Sequence, residues 1–158
     1  MSDRAIRIYA DTSVFGGVAD REFAGPSIAF FERAREGRLG VVVSALVRDE
    51  LTDAPAAVQA ALATLLPIAE LVEVSADAVA LQRAYLRAGV VTPKWETDAL
   101  HVAIATVTRC SAIVSWNFHH IVNFRRIPLY NGVNQAEGYG VLAIHSPLEV
   151  VADEQEAL

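Results

Sequence analysis

The segment Ile6–Ser13, IRIYADTS, predicts a β-strand that ends in an acidic residue. Its apolar, β-branched and aromatic side chains are typical of a strand, and Asp11 follows directly after Ala10. In open parallel α/β sheets, ligands bind beyond the carboxyl ends of the strands, where this carboxylate would lie. A single Asp after a strand fits equally well a turn residue that accepts backbone N–H bonds. Other parts of the sequence are needed to distinguish these two interpretations.

Along the rest of the chain, short apolar runs rich in Val and Ile alternate with longer helical patterns. This alternation is typical of βαβ units around a parallel sheet. We therefore expect an α/β fold, a three-layer α/β/α sandwich with a central, mostly parallel sheet. The predicted strands are 7–10, 40–43, 71–74 and 112–115, with a weaker fifth at 141–144.

Helical spacing of apolar residues predicts five helices between these strands. Ser44 is a candidate cap of the second, Pro26 fits a first turn, and Gly37 and Gly89 fit helix ends. Thr92 or Thr97 is the candidate cap of the last. The predicted helices are 26–36, 45–51, 55–66, 76–88 and 99–109.

Length and composition predict one folded domain. The chain has 158 residues, of which 53% are apolar and 20% charged, unlike chains that stay disordered. We expect a domain at 1–151 and a flexible, acidic tail at 152–158. No apolar run reaches the roughly 18 residues of a membrane span, and the first residues leave no room for a signal peptide. We therefore expect a cytoplasmic protein without membrane contact.

The net charge, the cysteine and the histidines argue against several classes of function. The net charge of −6 disfavours broad electrostatic capture of nucleic acid, so any such contact should be local. The single cysteine, Cys110, excludes an intrachain disulfide and favours a buried thiol. The four histidines do not follow a recognisable zinc spacing.

Three further oxygen-bearing side chains stand at predicted strand ends and helix starts. Glu50 lies in the helix after strand two, Asp98 opens the helix before strand four, and Asn117 follows strand four. Each alone has an ordinary interpretation: a solvated helix face, a favourable contact with the helix dipole, or a turn residue. Their common position relative to the sheet favours convergence with Asp11 on one site.

This arrangement resembles a PIN domain over about residues 6–150. The resemblance rests on Asp11-Thr12-Ser13, on Glu50 before Leu51, and on the stretch 98–103; residues 115–123 are similar to VapC-type toxins. It implies a metal-dependent endoribonuclease, in the toxin case paired with an antitoxin. The implied ligands of one or two Mg²⁺ or Mn²⁺ ions are Asp11, Glu50, Asp98 and Asn117, with Thr12 and Ser13 supporting them.

The resemblance also implies a mechanism and one departure. The ion would lower the pKa of a bound water and hold phosphate oxygens for in-line attack, leaving a 5′-phosphate and a 3′-hydroxyl on RNA. Asn117 stands where many relatives have Asp, and an amide oxygen ligates a hard cation without adding charge. The alternative is therefore a PIN-fold module that binds nucleic acid or protein with weak or no nuclease activity. Acidic α/β phosphatases and receiver domains fit poorly, because Ser13 and the pair Tyr9-Ala10 occupy positions where those classes need acids.

Candidates for RNA and partner contacts are less specific. Trp95, Trp116 and Phe118 could stack on bases, although packing is the favoured interpretation. Phe30 and Phe31 with the Ala-rich helices could supply a homodimer face or a groove for an inhibitory partner segment. The basic candidates for phosphate contact are Lys94, His119, His120, Arg125 and Arg126, although an ordinary solvated surface is the favoured interpretation of each.

Overall fold

Five parallel strands form one sheet with helices on both sides, which confirms the predicted three-layer α/β/α architecture. The computed structural model of the chain describes the backbone of residues 6–156 and the side chains of residues 6–152. The strand order is β3-β2-β1-β4-β5. The strands are β1 Ile6–Ala10, β2 Leu39–Ser44, β3 Glu70–Val72, β4 Ala112–Val114 and β5 Ala143–His145.

The helices fill the connections between the strands. A short 3-10 turn, Pro93–Trp95, precedes α6. The helices are α1 Thr12–Gly17, α2 Ala24–Arg35, α3 Ala45–Glu50, α4 Ala56–Leu65, α5 Ala76–Arg87, α6 Glu96–Val107, α7 Arg126–Ala136 and α8 Pro147–Glu156. No helix in the described part of the chain is long and apolar enough to cross a membrane.

The central strand β1 brings the ends of its neighbours to one edge. It pairs in parallel with β2 on one side and with β4 on the other, with Ala10 opposite Val114. Tyr9 and Ala10 have no exposed surface, because helices cover both faces of the sheet. The residues after β1 and β4 therefore emerge next to each other, as the βαβ pattern predicts.

Several predicted boundaries need correction. Helix α2 begins at Ala24 rather than residue 26, and β3 is shifted to Glu70–Val72. Ser44 caps α3 as predicted, through a bond from the Val47 N–H. Neither threonine caps α6, because Thr97 lies inside the helix and Thr92 precedes the 3-10 turn without a capping bond.

Three helices were not predicted. Helix α1 has only six residues, too few for a periodic pattern. The sequence of α7 contains Pro128 and Gly132, which disfavour a helix. Its Tyr130 and Asn134 are nevertheless fully buried against α5. Helix α8 runs to Glu156, inside the segment expected to be a tail. The flexibility of that tail stays a prediction, and residues 157–158 lie outside the described part of the chain.

Candidate active site

Asp11 lies at the carboxyl end of β1 and is held by two serines. Its Oδ1 accepts bonds from the Ser13 hydroxyl at 2.6 Å and the Ser13 N–H at 3.1 Å. Its Oδ2 accepts a bond from the Ser115 hydroxyl at 2.6 Å. Both interpretations of Asp11 are thus compatible with its position, since it caps α1 and also stands where a ligand site of this fold lies.

The same serines join the ends of β1 and β4. The Trp116 N–H donates to Ser13 Oγ at 2.8 Å, and the Asn117 N–H donates to Ser115 Oγ at 2.9 Å. Each serine therefore accepts a backbone bond and donates its own proton to Asp11. We call Asp11, Ser13 and Ser115 the acid cradle.

The Asp11 carboxylate is buried without a cationic partner. It is 4% exposed and forms no ion pair with any described Lys, Arg or His. Burial raises the pKa of Asp11, while the charge of His101 and the bonds from Ser115 and Ser13 oppose that rise. Because buried charges in proteins are normally paired or bound to metals, this carboxylate is suited to a cation.

Glu50 belongs to a chain of hydrogen bonds that starts in the core. Tyr9 Oη lies 2.8 Å from Ser44 Oγ and 2.7 Å from His101 Nδ1. His101 Nε2 lies 2.6 Å from Glu50 Oε1, which also accepts a bond from the Thr12 hydroxyl at 2.8 Å. Burial acts to raise the pKa of Glu50, but the bonds and charge of His101, with Thr12, outweigh it and lower the pKa overall. Through Thr12, Glu50 is thus tied to the residue next to Asp11.

Asp98 lies in the first turn of α6, as predicted, and pairs with a residue beyond β4. Its Oδ2 is 3.2 Å from His120 Nδ1. The His120 ring stacks on Trp95 with a centroid distance of 4.2 Å, and the Lys94 ammonium lies 5.1 Å from the centroid of the Trp95 ring. Burial lowers the pKa of His120; Asp98 opposes that shift and Arg126 adds to it.

Asn117 has a local structural task in addition to any ligand role. Its Oδ1 accepts bonds from the N–H groups of His119 at 3.2 Å and His120 at 2.9 Å. Both lone pairs of the amide oxygen are therefore engaged in the turn after β4. This geometry matches the turn interpretation of Asn117, and its role as a ligand stays a prediction.

The predicted ligands are linked but do not form one closed set. Thr12 connects Glu50 to the Asp11 segment, and His120 connects Asp98 to the segment that carries Ser115. Among the side chains described, no group of three or more His, Cys, Asp or Glu is arranged to hold a metal ion. The donor chemistry of three carboxylates suits Mg²⁺ or Mn²⁺, and Asp11 forms no ion pair with a Lys, Arg or His of the described chain, so these residue types fit the ion.

The basic candidates separate into two groups. Arg126 is used internally, donating to the carbonyls of Val90 and His119 at 2.6 and 2.8 Å. Arg125 is exposed, and its guanidinium makes no hydrogen bond or ion pair within the described chain. Arg125 is therefore better placed for a phosphate than Arg126.

Four residues of the site were not assigned to it from the sequence: Tyr9, Ser44, His101 and Ser115. Tyr9 and Ser44 were interpreted only as a strand residue and a helix cap. His101 follows Asp98 at the i+3 position and so shares its helix face, which is the signal that the sequence offers for it. Of the aromatic candidates, Trp116 is buried against Phe23, as the packing interpretation predicts, whereas Phe118 is 47% exposed.

Comparison with known proteins identifies the fold. No protein-family model and no curated protein sequence matches the chain. Among solved structures, VapBC2 of Rickettsia felis bound to a DNA fragment from its promoter matches with TM-score 0.58 and 16% identity, over 89% of this chain and 98% of that one. FitAcB of Neisseria gonorrhoeae matches with TM-score 0.56 and 13% identity, over 89% and 98%.

A third match is VapC20 of Mycobacterium tuberculosis, a toxin that cleaves the sarcin-ricin loop. Its TM-score is 0.51 and its identity 17%, over 85% of this chain and 98% of that one. The chain thus has a PIN-domain fold and resembles VapC-type toxins in structure, as its motifs predict. At these identities the likeness establishes the fold, and activity has to be argued from the site.

Proposed function

We propose that the protein is a divalent-metal-dependent endoribonuclease of the VapC type. The observation that carries this proposal is the Asp11 carboxylate, which is buried at the carboxyl end of the central strand and forms no ion pair with a described Lys, Arg or His. Asp11, Glu50 and Asp98 would hold Mg²⁺ or Mn²⁺, with Asn117 assisting. Glu50 contacts His101, and Asp98 contacts His120. To bind the same ion as Asp11, each of these two side chains must rotate away from its histidine or bind the ion through a water molecule.

The chain's own residues prepare this site. Ser13 and Ser115 orient both Asp11 oxygens, while Thr12 and His101 keep Glu50 ionised and directed at the same edge. When bound, the ion supplies Lewis-acid activation of water and neutralises charge on a phosphodiester. Lys94, His119, His120 and Arg125 provide positive or hydrogen-bonding groups near Asp98 and Asn117 for the RNA backbone.

The test is a cleavage assay on a mixed pool of structured and single-stranded RNA with Mn²⁺. Wild type should cleave only with the ion present, and Asp98→Ala should lose cleavage without unfolding. Lys94→Ala is the comparison variant: it removes a proposed contact to the RNA backbone and no metal ligand, so it should lose cleavage only in part. A wild-type protein that binds no Mn²⁺ in calorimetry would contradict the proposal.

A second candidate keeps the fold without the reaction. It is favoured by two observations: the engaged Asn117 oxygen and the lack of a closed metal-ligand group in the described chain. In that case the protein binds RNA or protein at the same edge, and Mn²⁺ changes neither its stability nor its RNA affinity. Thermal melts with and without Mn²⁺ separate the two functions.

The proposed toxin role adds a cognate antitoxin. An apolar groove of about 320 Å³ lies between α2 and α4, where Ile28 is 42% exposed, and it could accept an inhibitory segment.

Expression in a host should arrest growth, and Asp11→Ala should relieve the arrest. Equal arrest by Asp11→Ala would contradict a nuclease toxin. The expected homodimer stays a prediction that light scattering can test.

A further inference from the structure

A cleft of about 290 Å³ opens beside the acid cradle. Helix α1 and the residues after it form one wall, and the segment after β4 forms the other. Ser13 belongs both to the cradle and to the cleft, so the cleft begins one side chain away from Asp11. The residues used below line it: Ser13, Gly16, Asp20, Phe23, Trp116 and Asn117.

The aromatic wall of the cleft is fixed in place. The Phe23 and Trp116 rings stack with a centroid distance of 4.2 Å and an interplanar angle of 18°. The Trp116 indole N–H donates to the buried Ser27 hydroxyl at 2.9 Å. Phe118, 47% exposed, extends this aromatic surface towards solvent. A flat ring entering the cleft would meet a preformed aromatic surface.

Two polar groups at the cleft have bonding capacity to spare. Asp20 Oδ1 accepts the Glu22 N–H at 2.8 Å, and its Oδ2 has no hydrogen-bond partner among the described residues. Asn117 uses its Oδ1 in the turn, while its Nδ2 donates to no described group. The lining of the cleft therefore combines an aromatic surface with carboxylate acceptors and one amide donor.

We propose that this cleft binds one RNA base, guanine, next to the phosphodiester held at the acid cradle. The inference rests on the proposed nuclease function and names the base preference of the same site. Of the four bases, only guanine carries two adjacent N–H donors on its pairing edge, N1–H and the exocyclic amine. These match the acceptor oxygens of Asp20, and the guanine O6 beside them accepts from Asn117 Nδ2.

Gly16 offers a way to close the cleft without disturbing the fold. A Cβ added at Gly16 meets no heavy atom within 4 Å, and the same holds for Gly132 on α7, which does not line the cleft. Gly16→Leu should fill the cleft, Gly16→Ala should leave it open, and Gly132→Leu is the matched control. Both Gly16 variants should melt at or above the wild-type temperature, since glycine disfavours a helix.

The binding test does not depend on catalysis or on metal. The chain has two tryptophans, so its ¹⁵N spectrum has two indole signals, with Trp95 outside the cleft as internal reference. Guanosine at millimolar concentration should shift the Trp116 indole signal more than the Trp95 signal, and more than adenosine, cytidine or uridine does. Gly16→Leu should abolish the shift, and Asp20→Asn should weaken guanosine binding about tenfold or more. Equal shifts for all four nucleosides, or an unchanged shift in Gly16→Leu, overturn the proposal.

Cleavage provides the second readout. If wild type cleaves RNA, its cuts should lie beside guanine, and Gly16→Leu should reduce that preference about tenfold while Gly132→Leu keeps it. Cleavage with no base preference at the cut contradicts the base site and leaves the nuclease function standing. Absence of cleavage by wild type, together with guanosine binding at Trp116, contradicts the nuclease function and supports the base site.

Discussion

His101 connects the buried Tyr9 hydroxyl to the partly exposed Glu50 carboxylate. Because an ionised carboxylate only accepts hydrogen bonds, the His101 nitrogen that faces Glu50 must be Nε2–H. In a neutral ring, Nδ1 is then an acceptor for the Tyr9 hydroxyl, and Tyr9 accepts in turn from Ser44. Burial raises the pKa of Tyr9, which keeps its proton in place. The position of Glu50 is thus determined from the sheet core outward.

Breaking this chain should affect stability and catalysis together. Tyr9→Phe keeps the ring but leaves His101 Nδ1 without a donor and the Ser44 hydroxyl proton without its acceptor, so it should lower the free energy of unfolding by about 1–3 kcal/mol. His101→Gln should cost a similar amount. In a double-mutant cycle measured by urea unfolding, the two should couple by about 0.5 kcal/mol or more. Strictly additive effects would show that the two residues act separately.

Replacing Asp11 should stabilise the protein while removing its activity. Burial raises the pKa of Asp11, so its charged form destabilises the fold above that pKa, and the cost disappears as pH falls below the unfolded value of about 3.9. Without divalent ions at neutral pH, Asp11→Asn should melt about 2–4 °C higher per kcal/mol gained. The difference from wild type should vanish in acid.

Added Mn²⁺ supplies the control for that prediction. It should raise the melting temperature of wild type and leave Asp11→Asn unchanged, because only wild type has the buried charge that the ion would balance. An equal rise in both proteins would place the ion elsewhere.

Asn117→Asp should increase divalent affinity and turnover. The carboxylate can still accept the His119 and His120 N–H groups, so the turn is retained, and it adds one negative charge near the proposed ion. Mn²⁺ titration calorimetry and the RNA assay measure both effects. Asn117→Ser is the neutral control, since it keeps a turn acceptor. An unchanged Mn²⁺ affinity in Asn117→Asp would remove residue 117 from the metal shell, whereas the rate also reflects the loss of the Nδ2 donor proposed for guanine.

Gly17→Ala should destabilise the protein although alanine favours helices. A Cβ at Gly17 would lie 2.4 Å from Ser27 Oγ and 2.8 Å from Trp116 Nε1, so the buried Trp116–Ser27 bond has to shift. We expect a loss of about 1–3 kcal/mol in urea unfolding. Gly132→Ala in α7, where a Cβ meets nothing within 4 Å, should be neutral or stabilising. Similar results at both positions would contradict the packing argument.

Substitutions of the two neighbouring arginines, Arg125 and Arg126, should have different effects. Arg125→Ala should weaken RNA binding and reduce its salt slope by about 1, with unchanged stability, because that side chain is exposed and makes no bond within the described chain. Arg126→Ala should lower stability, because two backbone carbonyls lose their donor. RNA affinity at two salt concentrations and thermal melts distinguish the cases.

Which elements were predictable follows from the length of their patterns. The strand before Asp11 and the helix that carries Asp98 and His101 are continuous apolar patterns, so their type was evident from sequence. Helix α7 depends on contacts with distant residues, such as Tyr130 against Tyr85, and lacks a local signal. Boundaries near Thr97 failed because α6 begins without a capping side chain.

The α/β class and the chain positions of the three acids could be predicted from the sequence alone: Asp11 after β1, Glu50 in the helix after β2 and Asp98 in the first turn of α6. That these acids share one ion stays a prediction. Periodicity and the geometry of parallel strands are local properties, so they can be read along the chain. The contacts of each acid became known from the folded structure: two serines for Asp11, His101 and Thr12 for Glu50, and His120 for Asp98. Those pairings depend on burial and on side-chain directions across up to 104 residues of chain, which no local pattern encodes.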